Sequence, residues 1–161
     1  MNAGHQPLDT LRRAFQIEVD GYTFYSMASE KARTASVGEL FVKLASDEQQ
    51  HQAFLKDIIR FYDVKGTAAF SVPLRSPEMR ELTQQVLPDR LGVEAAVVEF
   101  EAAVLSIGMQ LETNAIACYS EAAKLASKSQ VKGFYRFLTD WEVQHLNALR
   151  TLHAALRTDS E

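Results

Sequence analysis

The sequence predicts an all-α protein: an antiparallel four-helix bundle of two helical hairpins joined by a long crossover that contains a short helix. Three observations point there. Apolar residues recur in steps of three and four over four long stretches, and no stretch alternates in the manner of a strand. Three of the four prolines, Pro73, Pro77 and Pro88, fall in one middle segment, which leaves the other stretches free of strong helix breakers. The chain also matches itself at a fixed offset of 94 positions, as an internal duplication does.

Each element has its own signals. Helix 1 is expected from Pro7, a favoured first-turn residue, to Ala32. Helix 2 is expected from Ser36 to about Val64, opened by Ser36-Val37-Gly38-Glu39, a capping-box pattern with Ser36 as cap and Glu39 reaching back. The crossover, about residues 65–92, holds the prolines, and Ser76-Pro77-Glu78 reads as the start of its short helix. Helix 3 is expected over roughly Val93 to Ala126, with a break before Ala102, and helix 4 over Ser129 to about Arg157. Short links between helices 1 and 2 and between helices 3 and 4 make each pair an antiparallel hairpin. At 161 residues the chain fits a single domain spanning 1–161.

The 94-residue offset pairs Leu11 with Leu105, Gln16 with Gln110, Glu18 with Glu112, Tyr25 with Tyr119, Ser26 with Ser120, Glu48 with Glu142, Gln50 with Gln144 and His51 with His145, among thirteen identities over positions 11–55 without a gap. The matched polar residues are the informative ones, because leucines recur in any helix.

Composition narrows the function classes. A net charge of −4 gives no support to nucleic-acid or anionic-membrane binding. No apolar run approaches the ~20 residues needed to span a bilayer, and the start, MNAGHQPLDTLRR, lacks the apolar segment of a secretory signal. A single cysteine, Cys118, excludes an internal disulfide and a multi-cysteine metal site, and a cytoplasmic location is the expectation.

The chemistry sits inside the apolar stripes. On helix 2 the stripe runs Val37, Phe41, Leu44, Glu48, His51, Leu55, Ile58, Tyr62; on helix 4 it runs Val131, Tyr135, Leu138, Glu142, His145, Leu149, Leu152, Leu156. Helix 1 gives Leu11, Phe15, Glu18, Tyr22, Tyr25, and helix 3 gives Leu105, Met109, Glu112, Ile116, Tyr119. Six ionisable groups therefore interrupt four apolar seams. Four clustered carboxylates in a low-dielectric interior cost several kcal/mol each unless protonated or neutralised. The basic residues Arg12, Arg13, Lys43, Lys56, Lys124 and Arg136 lie mostly off the stripes. Two divalent cations would balance four carboxylates, with two neutral imidazoles completing the set. Carboxylate and imidazole without thiolate suit iron or manganese, and zinc less well. One Glu-x-x-His is a weak signal; two, each preceded at 30 residues by a stripe glutamate, form the ferritin-like di-iron pattern.

On these residues the chain resembles the rubrerythrin-like branch of the ferritin-like superfamily. The resemblance rests on Ile17-Glu18 through Phe24-Tyr25, Asp47-Glu48-Gln49-Gln50-His51, Leu111-Glu112 through Cys118-Tyr119, and Glu142-Val143-Gln144-His145. It implies two iron ions, with manganese or zinc as substitutes, bridged by Glu48 and Glu142, with Glu18 and Glu112 terminal and one of His51 and His145 on each. Rubrerythrins proper carry a second glutamate three residues after the helix 3 ligand, where this chain has Ala115, so the site is similar to the symmetric bacterioferritin type. No cysteine-rich rubredoxin segment is present, which implies an external electron-donor protein. A storage cage is not expected, because little follows helix 4.

Tyr25 and Tyr119, two turns beyond Glu18 and Glu112, are placed to hydrogen-bond a ligand carboxylate or to serve as plain core tyrosines. Asp47 is placed to orient a ligand histidine, but its counterpart at the offset is Trp141, so the duplication lends that role no support. Gly21 and Gly108 are expected to allow close packing near the site, and His5 and His153 to lie off the stripes in solvent. The expected function is a di-iron oxidase or peroxidase acting on hydrogen peroxide or dioxygen. An iron-handling protein and a non-enzymatic interaction module are the alternatives, and a homodimer is the expected assembly.

Overall fold

The computed structural model describes residues 7–71 and 95–158. Four long helices account for almost all of it: α1 (Pro7–Lys31), α2 (Ala35–Lys65), α3 (Ala95–Leu125) and α4 (Ser129–Thr158). They form a ferritin-like four-helix bundle in which α1 packs most closely on α2 and α3 on α4, while the two hairpins meet chiefly through α1 and α3. Three-residue links, 32–34 and 126–128, enforce the hairpins. The short crossover helix expected near Ser76-Pro77-Glu78 lies outside the described residues.

After α2 the chain turns at Gly66, whose φ of 57° is one that only glycine adopts readily, and enters a 3-10 turn, Gly66–Phe70. The turn drops Phe70 onto Tyr62, Phe134 and Tyr135. Its ring closes one end of the bundle.

Two expectations about α2 and α3 are corrected. The capping box does not form: α2 begins at Ala35, so Ser36 already lies inside the helix, and the capping position, Thr34, makes no side-chain cap. Instead Glu101, fully buried on α3, accepts the backbone N–H groups of Arg33 (2.6 Å) and Thr34 (2.9 Å) with one carboxylate oxygen. This caps α2 from across the bundle and ties the α1–α2 link to the other hairpin. For the same reason the expected break before Ala102 is absent. Glu101 lies one turn before Leu105 on the buried face, so α3 continues straight through it.

The α1 and α3 seams also differ from the expected stripes. Gly21, not the exposed Tyr22, faces inward on α1, and Gly108 and Ala115 replace Met109 and Ile116 on α3. Small residues there let neighbouring helices approach. A Cβ on Gly108 would stand 3.2 Å from the Tyr25 ring, and one on Gly21 would meet the Glu48 side chain at 3.4 Å.

The core divides into two apolar clusters, one at each end. The first gathers Tyr25, Val37, Leu40, Phe41, Leu44, Leu105, Leu149 and Leu152; the second gathers Leu11, Leu55, Ile58, Phe70, Tyr119, Phe134, Tyr135 and Leu138. The 94-residue offset exchanges them: Val37, Phe41 and Leu44 match Val131, Tyr135 and Leu138, while Leu55 and Ile58 match Leu149 and Leu152. The bundle thus has an approximate twofold relation between its halves, and a fully buried leucine contributes about 1.5–3 kcal/mol at either end. Between the clusters lies a polar layer.

Candidate metal centre

The polar layer holds Glu18, Glu48, His51, Glu112, Glu142 and His145, none more than 3% exposed. Helical geometry brings them there. Glu48 with His51, and Glu142 with His145, are one turn apart on inward faces, and Glu18 and Glu112 occupy matching inward positions on α1 and α3.

Their contacts divide into two groups. Nδ1 of His51 lies 3.1 Å from Glu18 Oε2, 3.2 Å from Glu48 Oε2 and 3.0 Å from Glu142 Oε1. Nδ1 of His145 lies 3.3 Å from Glu112 Oε1, 3.4 Å from Glu48 Oε1 and 3.0 Å from Glu142 Oε2. Glu48 and Glu142 therefore turn one oxygen to each histidine, whereas Glu18 and Glu112 serve one apiece. The same division appears as two overlapping sets of side chains able to hold a metal ion, Glu18–Glu48–His51–Glu142 and Glu48–Glu112–Glu142–His145, with donor atoms within 4.8 Å of one another in each.

Hydrogen bonding alone does not satisfy this layer. A ring nitrogen carries at most one proton, yet each Nδ1 faces three carboxylate oxygens. Both oxygens of Glu142 and Nδ1 of His145 are buried with no hydrogen-bond partner among the described residues. Clustered carboxylate and imidazole atoms left in this state are suited to hold a cation.

Electrostatics agree. Burial, then the charge of Glu142, pushes the Glu112 carboxyl up to about 8. Burial and the charges of Glu142 and Glu18 push Glu48 well above the usual carboxylate range. Burial alone would raise Glu142, but His51 and His145 on either side hold it well below that range. Burial disfavours the charged form of both histidines, yet Glu18 and Glu142 raise His51 and Glu112 and Glu142 raise His145. Without a cation, the cluster can balance its charge only by taking up protons.

The tyrosines bond crosswise. Tyr25 on α1 donates to Glu112 Oε1 at 2.6 Å, and Tyr119 on α3 donates to Glu18 Oε1. Each hairpin thereby holds the other's lone glutamate, and burial with the adjacent carboxylates keeps both phenols protonated.

Asp47, fully buried on α2, faces Nε2 of His145 at 3.0 Å and also accepts the indole N–H of Trp141 at 3.4 Å. Burial raises its carboxyl, but His145 and Lys43 outweigh that and hold it below its ordinary value. An acceptor there favours a proton on Nε2, and in the neutral ring this leaves Nδ1 free to face the glutamates. Cys118 is half-buried, and His153 is not simply solvated, since it meets Ser106 at 3.2 Å; His5 lies outside the described residues.

A cleft reaches the layer. It opens between α1 and α3, encloses about 140 Å³ and has Gly21 and Ala115, then Asp20 and Asn114, along its walls and rim. Those are matched pairs under the 94-residue offset, so the opening lies on the approximate twofold. The opposite face, between α2 and α4, is closed by Asp47 and Trp141.

The Rubrerythrin family pattern matches residues 9–153. The chain belongs to the rubrerythrin family. This is a family of ferritin-like di-iron carboxylate proteins, and the match reaches all four helices and takes in the whole buried layer. Comparisons with curated proteins and with solved structures gave no match. A rubrerythrin-type domain here therefore carries a buried carboxylate–histidine cluster able to hold metal. Among the described residues no helix is long and apolar enough to cross a membrane.

Proposed function

We propose that the layer holds two iron ions and that the protein is a di-iron oxidase or peroxidase, reducing hydrogen peroxide or dioxygen. One observation carries the reading: Glu48 and Glu142 each turn one oxygen to either histidine, while neither oxygen of Glu142 has a hydrogen-bond partner among the described residues. Glu18 and His51 complete one metal position, and Glu112 and His145 the other. Bound iron would supply reversible one-electron chemistry toward an oxidant.

The chain's own residues prepare the site in three ways. Glu48 and Glu142 fix the spacing of the two positions. Tyr25 and Tyr119 hold Glu112 and Glu18, so those carboxylates keep their direction as the charge in the layer changes. The α1–α3 cleft has room for only a few water-sized molecules, which favours a small oxidant over an organic hydroperoxide. Its rim, Asp20 and Asn114, is polar enough to admit water with the oxidant. Electrons come, on this reading, from a separate donor protein in the cytoplasm, and the working form is a homodimer.

Ala115 favours a second reading. It is buried on the cleft wall, three residues after Glu112, where rubrerythrins proper carry a further glutamate. The missing carboxylate leaves a symmetric set of six, suited to oxidising Fe(II) and passing it on. Turnover kinetics separate the two. A peroxidase consumes many equivalents of peroxide on a fixed complement of two irons, whereas a handling protein gains or releases iron as it reacts. Fe(II)-loaded protein is expected to consume peroxide rapidly and Glu48→Ala to abolish this; an unchanged rate in Glu48→Ala refutes the assignment.

A further inference from the structure

The six inward side chains obey the duplication, but the residues behind the two histidines do not. Behind His145 stands Asp47, on its Nε2 at 3.0 Å, and Asp47 is in turn paired with Lys43. The positions matching Asp47 and Lys43 at the 94-residue offset are Trp141 and Phe137. Trp141 stands behind His51, its ring perpendicular to the imidazole at 4.5 Å between centroids, and Phe137 packs edge-on against Trp141 at 5.3 Å. Nε2 of His51 has no hydrogen-bond partner among the described residues. A charged pair backs one histidine and an aromatic pair backs the other.

We infer that Asp47 and Trp141 make the two metal positions unequal: the position served by His145 binds its ion more tightly, and the position served by His51 is the one that exchanges. This rests on the metal reading above and adds to it which position is which. A carboxylate behind a ligand imidazole fixes the tautomer and ring direction and increases the electron density offered to the cation. Loss of such a partner typically weakens metal binding 10–100-fold. His51 has neither benefit. The Trp141 ring restricts its rotation but accepts no proton from it. Lys43 sharpens the contrast by pairing with Asp47 at 2.5 Å and holding it in place, whereas Phe137 offers Trp141 only packing. The inequality arises outside the six donors, so it persists although both positions have the same number and kind of ligand.

Anaerobic titration with Co(II), followed by its visible absorption, tests this. The protein is expected to take up two ions in two steps separated by about tenfold or more. His51→Ala and His145→Ala each leave one position. Adding Asp47→Asn to His51→Ala is expected to weaken the remaining site by about 10–100-fold, and adding it to His145→Ala to leave the remaining site unchanged. A wild-type protein with two equal steps, or an Asp47→Asn effect that falls alike on both backgrounds, overturns the inference while leaving the metal reading intact. Binding of no Co(II) at all removes the metal reading, and the inference with it. Mössbauer spectra of the wild-type protein loaded with ⁵⁷Fe need no variant: two quadrupole doublets of equal area are expected, and one doublet overturns the inequality.

Discussion

Gly21 lies on the inner face of α1, one turn after Glu18 and at the wall of the α1–α3 cleft that reaches the polar layer. A Cβ at that position would stand 3.4 Å from both Cγ and Cδ of Glu48, which is ordinary contact. Gly21→Ala is therefore expected to fit, and to gain up to ~1 kcal/mol of helix propensity. For a chain of this size that corresponds to a rise in Tm of about 2–4 °C. Gly21→Val is different. Each γ-carbon reaches about 1.5 Å beyond Cβ, so one turned toward Glu48 arrives about 2 Å from its carboxylate carbon, far inside the ~3.5–4.0 Å of carbon contact. Valine in a helix is held to nearly one rotamer, which limits escape by rotation. Overpacking of this kind costs about 1–3 kcal/mol, and the side chain also narrows the cleft. Thermal melts and peroxide consumption per bound iron check both variants. Alanine is expected to match the parent rate, and valine to lower Tm and slow the reaction at least ~10-fold, a barrier change of about 1.4 kcal/mol. A valine variant as stable and as fast as the parent refutes the assignment of this cleft as the route to the layer.

Further expectations follow from other contacts. Tyr119→Phe removes a buried donor to Glu18, a bond to a charged group worth about 1.5–3 kcal/mol, and is expected to lower Tm by several degrees in the metal-free protein; a melt identical to the parent's contradicts the contact. Glu101→Gln keeps an acceptor for Arg33 and Thr34 but loses its charge, so a destabilisation of about 1–2 kcal/mol is expected in chemical denaturation, with metal binding unaffected. In the metal-free protein the raised Glu112 binds more protons folded than unfolded, so its contribution to stability is complete below about 4.5 and is lost as pH rises through about 8. The raised histidines act in the same direction above their ordinary value of 6.5, while the lowered Glu142 contributes in full above 4.5 and loses its contribution only as pH falls below that value. Metal binding requires these protons to leave, so metal affinity is expected to rise over the window in which metal-free stability falls; melts with chelator and with metal across that range show whether the two trends oppose.

The parts of this architecture that repeat were legible in the sequence. Glutamate and histidine in mid-stripe, doubled at a fixed offset, mark the polar layer because a helix face is read from spacing alone. Contacts across the hairpins carry no such signal. Asp47 meets His145 only because α2 packs beside α4, and its mismatch with Trp141 lent no support to a contact that the structure shows. Likewise Tyr25 and Tyr119 were placed near ligands, but spacing within a helix could not show that each bonds the glutamate of the opposite hairpin. Glu101 had a trace in the sequence, four residues before Leu105, that the expected break in helix 3 concealed. The stripes of α1 and α3 drifted for a different reason. Large apolar residues look like the seam, yet beside the polar layer the buried positions are taken by the small residues Gly21, Gly108 and Ala115, and a Cβ at Gly108 would crowd Tyr25.

The most direct test is the iron content of protein purified without chelators, with each of the six side chains removed in turn. The structure leads us to expect about two irons per chain, falling toward one in Glu18→Ala and Glu112→Ala and toward none when Glu48 or Glu142, which face both positions, is lost. A chain that refuses iron, or that binds it equally well without Glu142, contradicts the account.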